Sequence, residues 1–157
     1  MSYKFSADEV FEMAKTIEQN GAAFYKKAAQ LVEGEDEKRF LIELAQMEEC
    51  HEKIFEELQK EFLDKERESQ IFEPVEEALL YLKSIADTKV FFKKQFPEND
   101  MKKILTLAIE TEKDSIVFYL GMKEMVTGEV GKRRIELIIN EEMSHIRLLA
   151  GKLLNCK

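Results

Sequence analysis

Apolar residues recur every three or four positions along most of the chain, which is the spacing of one buried face of an α-helix. Four long segments show this pattern. The first is predicted to begin at a capping box formed by Ser6 and Glu9 and to end before Gly34, a glycine suited to the left-handed conformation. The second is predicted to begin at Asp36 as its N-cap and to run to about Leu63. A short connection between two long helices makes them antiparallel neighbours.

A different stretch, residues 64–99, follows this helix pair. It contains both prolines of the chain, a polar run and one shorter amphipathic segment, VEEALLYLKSI. The third long helix is predicted to begin near Asn99 or Asp100 and to stop before Gly128, and the fourth to run from about Glu129 to the C-terminus. Two hairpins joined by a long crossover predict an all-α, ferritin-like four-helix bundle.

A length of 157 residues suits one domain, residues 1–157, made of a hairpin over 6–63, a crossover with a short helix over 64–99 and a hairpin over 100–157. The two hairpins look like copies, because adding 94 to a position in the first reaches its counterpart in the second without gaps. The matched pairs are Glu18 with Glu112, Phe24 with Phe118, Tyr25 with Tyr119, Val32 with Val126, Gly34 with Gly128, Glu48 with Glu142 and His51 with His145.

Six glutamate and histidine residues interrupt the mainly apolar stripes of the four helices. They are Glu18, Glu48, His51, Glu112, Glu142 and His145. Burying four carboxylates without counter-charge would cost on the order of several kcal/mol each, and two histidines could not neutralise them all. One Glu from each of two helices and a Glu-x-x-His motif from each of the other two form the ligand set of di-iron or di-manganese bundles. The pattern therefore predicts a pair of divalent metals bound in the bundle core.

Residues beside these six have less specific patterns. Tyr25 and Tyr119, each two turns after the ligand glutamate on its helix, either hydrogen-bond a metal ligand or fill the core with a satisfied hydroxyl. Glu49 and Glu141 are rotated about 100° from the stripes, which places them at the surface or next to the ligands. Cys50 is expected to be a small buried residue rather than a ligand.

Composition limits the classes of partner. Lys and Arg total 24 against 32 Asp and Glu, which gives a net charge of -8 and a pI near 5.0, so no basic surface is expected for nucleic acid or for a membrane. No apolar run approaches the ~18 residues of a membrane span, and the N-terminus has no apolar signal core. The two cysteines form no Cys-x-x-Cys pair, which indicates a reducing compartment and a cytoplasmic location.

The segments IEQNGAAFY, MEECH, TEKDSIVFY and EEMSH resemble the rubrerythrin branch of the ferritin-like superfamily. The resemblance implies that the six residues bind two irons, with Glu48 and Glu142 bridging and Glu18 and Glu112 more terminal. Manganese or a mixed pair would fit the same ligands. Rubrerythrins proper carry a further Glu where this chain has Ser115, and they append a rubredoxin domain, for which this chain has neither the length nor the cysteines. Any electrons are therefore expected to come from a separate donor protein.

The favoured hypothesis is a di-iron oxidoreductase that reduces hydrogen peroxide or dioxygen, acts in oxidative stress and receives its electrons from a donor such as a rubredoxin. The alternatives are a ferroxidase or iron-storage protein of the ferritin kind, and a metal-free helical interaction module. A homodimer is expected, and the long crossover would allow hairpins to be exchanged between chains.

Overall fold

Four long α-helices make up most of the structure, a computed structural model that describes residues 7–68, 77, 80–82, 84, 99–126 and 128–156. The helices are α1, Ala7–Leu31; α2, Glu35–Glu68; α3, Met101–Met125; and α4, Glu129–Leu154. No strand occurs among the described residues. Helix α1 packs along α2 and α3 along α4, and contacts of α1 with α3 and of α2 with α4 join the two hairpins. The predicted all-α bundle of two helical hairpins is confirmed.

The connection between α1 and α2 differs from the prediction at Gly34. This glycine does not have the left-handed conformation. The last turn of α1 is closed by the N–H of Val32, which donates to the Ala28 carbonyl at 3.2 Å, and the Gly34 carbonyl accepts the N–H of Lys38 at 3.0 Å. Gly34 thus stands at the N-cap of α2. A left-handed residue is used where a helix ends in a Schellman-type turn, and here the chain enters the next helix directly.

Helix α2 is longer than predicted at both ends. It begins at Glu35 rather than after a cap at Asp36, and the acidic residues of its first turn interact favourably with the helix dipole. It continues past Leu63 to Glu68, because the added segment DKERE consists of charged residues that mostly favour helix and contains no glycine or proline. The end of the apolar stripe therefore does not mark the end of the helix.

The start of the second hairpin and the boundary between its two helices agree with the prediction. Asp100 has extended backbone, with φ -132° and ψ 103°, and its side chain accepts the N–H of Lys103 as an N-cap. Helix α3 ends before Gly128, and α4 starts at Glu129. The predicted capping box of α1 depends on Ser6, which lies outside the described residues.

The core consists of two apolar clusters with a polar layer between them. The first cluster joins the N-terminal half of α1 to the C-terminal half of α3, with Phe55 from α2 and Ile138 from α4. The second joins the opposite halves of the same helices, with Leu41 from α2 and Leu149 from α4. Four glutamates and two histidines are buried between these clusters, which places one charged layer at the middle of the bundle.

Part of the crossover packs against α3. Its described residues are helical and comprise 77, 80–82 and 84, while the remainder of the predicted short helix lies outside the described residues. Leu82 is buried in the first cluster, and the Tyr81 hydroxyl donates to the Val117 carbonyl at 2.5 Å. A Cβ atom at Gly121 would lie 2.6 Å from the Tyr81 ring, so this close approach requires a glycine on α3.

Replacing Gly121 by alanine should destabilise the protein relative to the same change at Gly151. Both glycines lie inside helices, where alanine is favoured over glycine by about 1 kcal/mol. No atom lies within 4 Å of a Cβ atom at Gly151, so that variant keeps the gain, whereas at Gly121 the added methyl group displaces Tyr81. Urea unfolding should give free energies of unfolding at least about 1 kcal/mol apart. Equal effects at the two positions would contradict the packing of the crossover on α3.

Candidate metal centre

The polar layer contains all six predicted site residues. They are Glu18 on α1, Glu48 and His51 on α2, Glu112 on α3, and Glu142 and His145 on α4. Each residue is at most 3% exposed. A spacing of three places the Glu and His of each motif on one helix face, one turn apart. Four carboxyl groups and two imidazoles therefore share one interior from which the two apolar clusters exclude water.

The six side chains form two overlapping groups, each able to surround one cation. One group is Glu18, Glu48, His51 and Glu142, and the other is Glu48, Glu112, Glu142 and His145. Within each group the donor atoms lie within 4.8 Å of one another. Glu48 and Glu142 belong to both groups, so their carboxylates lie between the two positions. The remaining Glu and His of each group belong to one position only.

The donor atoms of this layer fit a pair of divalent cations. Seven buried side-chain nitrogen and oxygen atoms of the described residues lack an aligned hydrogen-bond partner, and all seven belong to these six residues. Both imidazoles direct Nδ1 into the layer, where the nearest carboxylate oxygen, 2.6 Å from His51 and 3.4 Å from His145, is not aligned as a hydrogen-bond acceptor. An unpaired buried polar atom costs about 1–3 kcal/mol, so such a concentration in one place is unusual for a packed core. Two divalent cations would pair these atoms and balance four carboxylates beside neutral imidazoles.

Without a cation, protons supply the counter-charge. Burial raises the pKa of Glu18 well above its usual value, and the charges of Glu48 and Glu142 add to this. Burial alone would also raise the pKa of Glu48, but the nearby Glu18, His145 and His51 side chains outweigh it and lower that pKa to about 2. Burial would lower the pKa of both imidazoles, but the adjacent carboxylates, Glu142 first, raise it, to about 9 for His145. Both imidazoles are therefore cationic at neutral pH in the metal-free protein, with a proton on each ring nitrogen.

Two buried tyrosines orient the glutamates that belong to one position only. The Tyr25 hydroxyl donates to Glu112 Oε1 at 2.6 Å, and the Tyr119 hydroxyl donates to Glu18 Oε1 at 2.5 Å. Each tyrosine thus holds the glutamate of the opposite hairpin. Burial, followed by the nearby carboxylates, raises the pKa of both hydroxyls, which keeps them protonated as donors. The second oxygen of each glutamate is left unpaired in the layer.

The outer nitrogens of the two imidazoles have different partners. His51 Nε2 lies 2.5 Å from Glu141 Oε2, and His145 Nε2 lies 3.1 Å from Met47 Sδ. The two rings are nearly parallel, with centroids 5.7 Å apart. The helical position of Glu141 predicts a place at the surface or next to the ligands, whereas the apolar pattern gives no indication of a role for Met47. Glu141 and Met47 share one feature of the sequence: each directly precedes the Glu of a Glu-x-x-His motif. Each contacts the histidine of the motif on the other hairpin.

Three further residues lie where they add no ligand. Glu49 forms an ion pair at the surface with Lys26. Cys50 is exposed, so its predicted burial is wrong: two residues, or about 200° around the helix, separate it from Glu48. Ser115 is buried, and its hydroxyl donates to the Thr111 carbonyl at 3.0 Å. No carboxylate therefore stands at the position where rubrerythrins proper have a further Glu.

A helical bundle with one buried Glu on each of two helices and a buried Glu-x-x-His pair on each of the other two belongs to the ferritin-like class of carboxylate-rich bundles. The sequence model of the rubrerythrin family matches residues 9–153, and the chain belongs to this family. A crystal structure from Thermotoga maritima, described as a candidate ferritin-like diiron-carboxylate protein, has the same fold. The TM-score is 0.71 at 21% identity, and the match covers 99% of each chain. No curated protein matches the sequence significantly.

The buried Glu and His cluster is compatible with iron binding. Among the residues that the structure describes, no helix is long and apolar enough to cross a membrane.

Loading the metal-free protein with a divalent cation should stabilise it. At a free metal concentration 100 times the Kd, binding adds about 2.7 kcal/mol, which raises the Tm of a chain of this size by roughly 5–10 °C. The shift should be small in Glu48→Ala, which removes a carboxylate common to both positions, and intact in Glu49→Ala, which changes the exposed neighbour. Thermal unfolding followed by circular dichroism checks this. The same shift in both variants would contradict metal binding in the polar layer.

Metal binding and the stability of the metal-free protein should depend on pH in opposite directions. In the metal-free protein, the raised pKa of His145 contributes stability that is fully present below pH ~6.5 and is lost as the pH rises through about 9. A cation must displace the Nδ1 proton, so its apparent affinity should rise up to about tenfold per pH unit for each proton displaced. Competition titrations with Zn²⁺ at several pH values measure this. A flat affinity profile would argue against His145 as a ligand.

Proposed function

We propose that the protein is a di-iron redox enzyme that reduces hydrogen peroxide, or dioxygen, with electrons from a separate donor protein. The observation that carries the proposal is the sharing of Glu48 and Glu142 by the two four-residue groups, which suits two adjacent metals with bridging carboxylates. Membership of the rubrerythrin family supports it. A pair of ferrous ions would supply the two electrons that, with two protons, reduce one molecule of hydrogen peroxide to two molecules of water.

The protein side chains would have three roles at this centre. Glu48 and Glu142 would bridge, and Glu18 and Glu112 would each present the oxygen that their tyrosine leaves unpaired. The histidines would bind through Nδ1. Carboxylate oxygens are hard ligands and suit ferric as well as ferrous iron, so the same set serves both oxidation states. The apolar clusters on either side keep bulk water from the charged layer.

The proposal includes a donor and a compartment. A small electron-transfer protein such as a rubredoxin would reduce the centre after each turnover, since the six residues contain no second redox group. Cys50 and Cys156 are free thiols in the structure, which suits the reducing conditions of the cytoplasm.

Glu112→Ala should abolish most peroxide reduction, because it removes a carboxylate from one metal position. Protein loaded anaerobically with ferrous iron is mixed with reduced rubredoxin and hydrogen peroxide, and oxidation of the rubredoxin is followed by absorbance. We expect about two irons per chain in the native protein and a rate at least about 100-fold lower in the variant. The matched control is Glu110→Ala, an exposed glutamate two residues away on the same helix, which should retain the rate within about twofold.

Three outcomes would count against the proposal. Unchanged turnover in Glu112→Ala would exclude the assigned ligands. Absence of bound iron after anaerobic loading would favour the metal-free interaction module. Rapid oxidation of added ferrous iron by dioxygen, with no donor-dependent loss of peroxide and with assembly into a large cage, would favour the ferroxidase or storage function.

A further inference from the structure

The centre is built twice, because the six candidate ligands and the two tyrosines that contact them each have an identical counterpart 94 positions away. The residues on either side of the bridging glutamate are not matched in this way. The segment MEECH has Met47 before this glutamate and Glu49 after it, whereas EEMSH has Glu141 before and Met143 after. Methionine and glutamate are thus interchanged between the two halves.

The residue before each bridging glutamate lies against the outer nitrogen of the histidine on the opposite hairpin. Glu141 accepts from His51 Nε2 at 2.5 Å, while Met47 Sδ lies 3.1 Å from His145 Nε2. Glu49, on the other side, forms a surface ion pair with Lys26. The interchange therefore gives one imidazole a carboxylate as its outer partner and the other a thioether.

These two partners affect a metal-binding imidazole differently. When Nδ1 binds a cation, Nε2 carries the proton and donates it to the outer partner. A carboxylate is a strong, charge-assisted acceptor that fixes the ring and increases the electron density that Nδ1 offers to the metal. A thioether sulfur is a weak acceptor, so it neither fixes the ring firmly nor increases the electron density at Nδ1 by much.

The tyrosine contacts of the two halves are closely matched, whereas the nearest carboxylate oxygen lies 2.6 Å from Nδ1 of His51 and 3.4 Å from Nδ1 of His145. Glu18 and Glu112 are each 1% exposed, and their hydrogen bonds from Tyr119 and Tyr25 measure 2.5 Å and 2.6 Å. The bridging glutamates belong equally to both groups. The outer partner of the histidine is therefore a difference in side-chain chemistry between the two positions.

We infer that the two metal positions are inequivalent, that the position of His51 binds its cation more tightly, and that Glu141 and Met47 are the positioning residues that set this difference. The inference rests on metal binding as given under the proposed function. It assigns the weaker and more readily emptied position to His145, whose outer partner is the thioether of Met47.

The two histidines of the chain are the two in the centre, so imidazole NMR signals report on each half separately. The metal-free, full-length chain is titrated with Zn²⁺ at pH 7.5, with the signals assigned through His145→Gln. In the native protein, the His51 signals should reach their bound positions with about the first equivalent and the His145 signals only with the second. The two zinc affinities should differ by about 10- to 100-fold, the usual effect of an outer partner on a ligand.

Exchanging the outer partners should change this order. Met47→Glu should strengthen the weaker step by about 10-fold or more, so that both histidines respond together, and Glu141→Met should weaken the stronger step by a similar factor. The matched controls make the same chemical changes on the other side of the bridging glutamate. Met143→Glu and Glu49→Met should leave the order and both affinities within about twofold.

The outcomes separate this inference from the proposed function. Simultaneous response of both histidines in the native protein, or an order unchanged by both Met47→Glu and Glu141→Met, would overturn the inference and leave metal binding intact. If neither histidine responds to Zn²⁺, metal binding at the centre fails, and the proposed function fails with it. Ordered zinc binding that follows the outer partner would establish the inference even if the iron-loaded protein reduced no peroxide.

Discussion

Mutual repulsion of four buried carboxyl groups is the constraint on which the rest of this structure depends. In water such groups are stable as anions, but in a helical core each charge needs a partner within a few ångströms. The chain meets the requirement in three ways: imidazoles on the same layer, tyrosine hydroxyls that donate to two of the carboxylates, and a geometry open to cations. The apolar clusters on either side fix the layer at the middle of the bundle. Packing provides the stability that the charged layer lacks.

Helical periodicity explains why so much of this was predictable. A glutamate on an apolar stripe, such as Glu18, must point inward with its neighbours, because a helix turns by a fixed angle per residue. The same rule shows why the burial expected for Cys50 was wrong, since its side chain type favoured the core but its position on the helix faced away. The extent of α2 to Glu68 escaped prediction for a related reason: the apolar pattern reports burial, whereas helix formation also depends on local propensity.

Contacts across helix interfaces could not be obtained from the pattern of one helix. Glu141 and Met47 lie about 100° from the ligand stripes, at a rotation where a residue faces either solvent or the adjacent helix. Their contact with a histidine depends on how α2 and α4 are rotated against each other, which is set by packing of the whole bundle. For the same reason, the pattern does not decide whether the tyrosines contact a metal ligand or only fill the core. Their hydroxyls reach the opposite hairpin, and the distance between hairpins is a tertiary property.

Each hairpin orients the ligands of the other, so neither hairpin contains a finished half of the centre. Such reciprocal contacts are those that a symmetric dimer of two identical hairpins would make. In such a dimer, a change in one subunit is necessarily copied into the other, and the two halves stay alike. A chain that contains both hairpins is free of this restriction, because each half can change independently while the reciprocal contacts keep the two halves together. One chain can therefore encode an asymmetric pair of positions that a homodimer of identical hairpins does not.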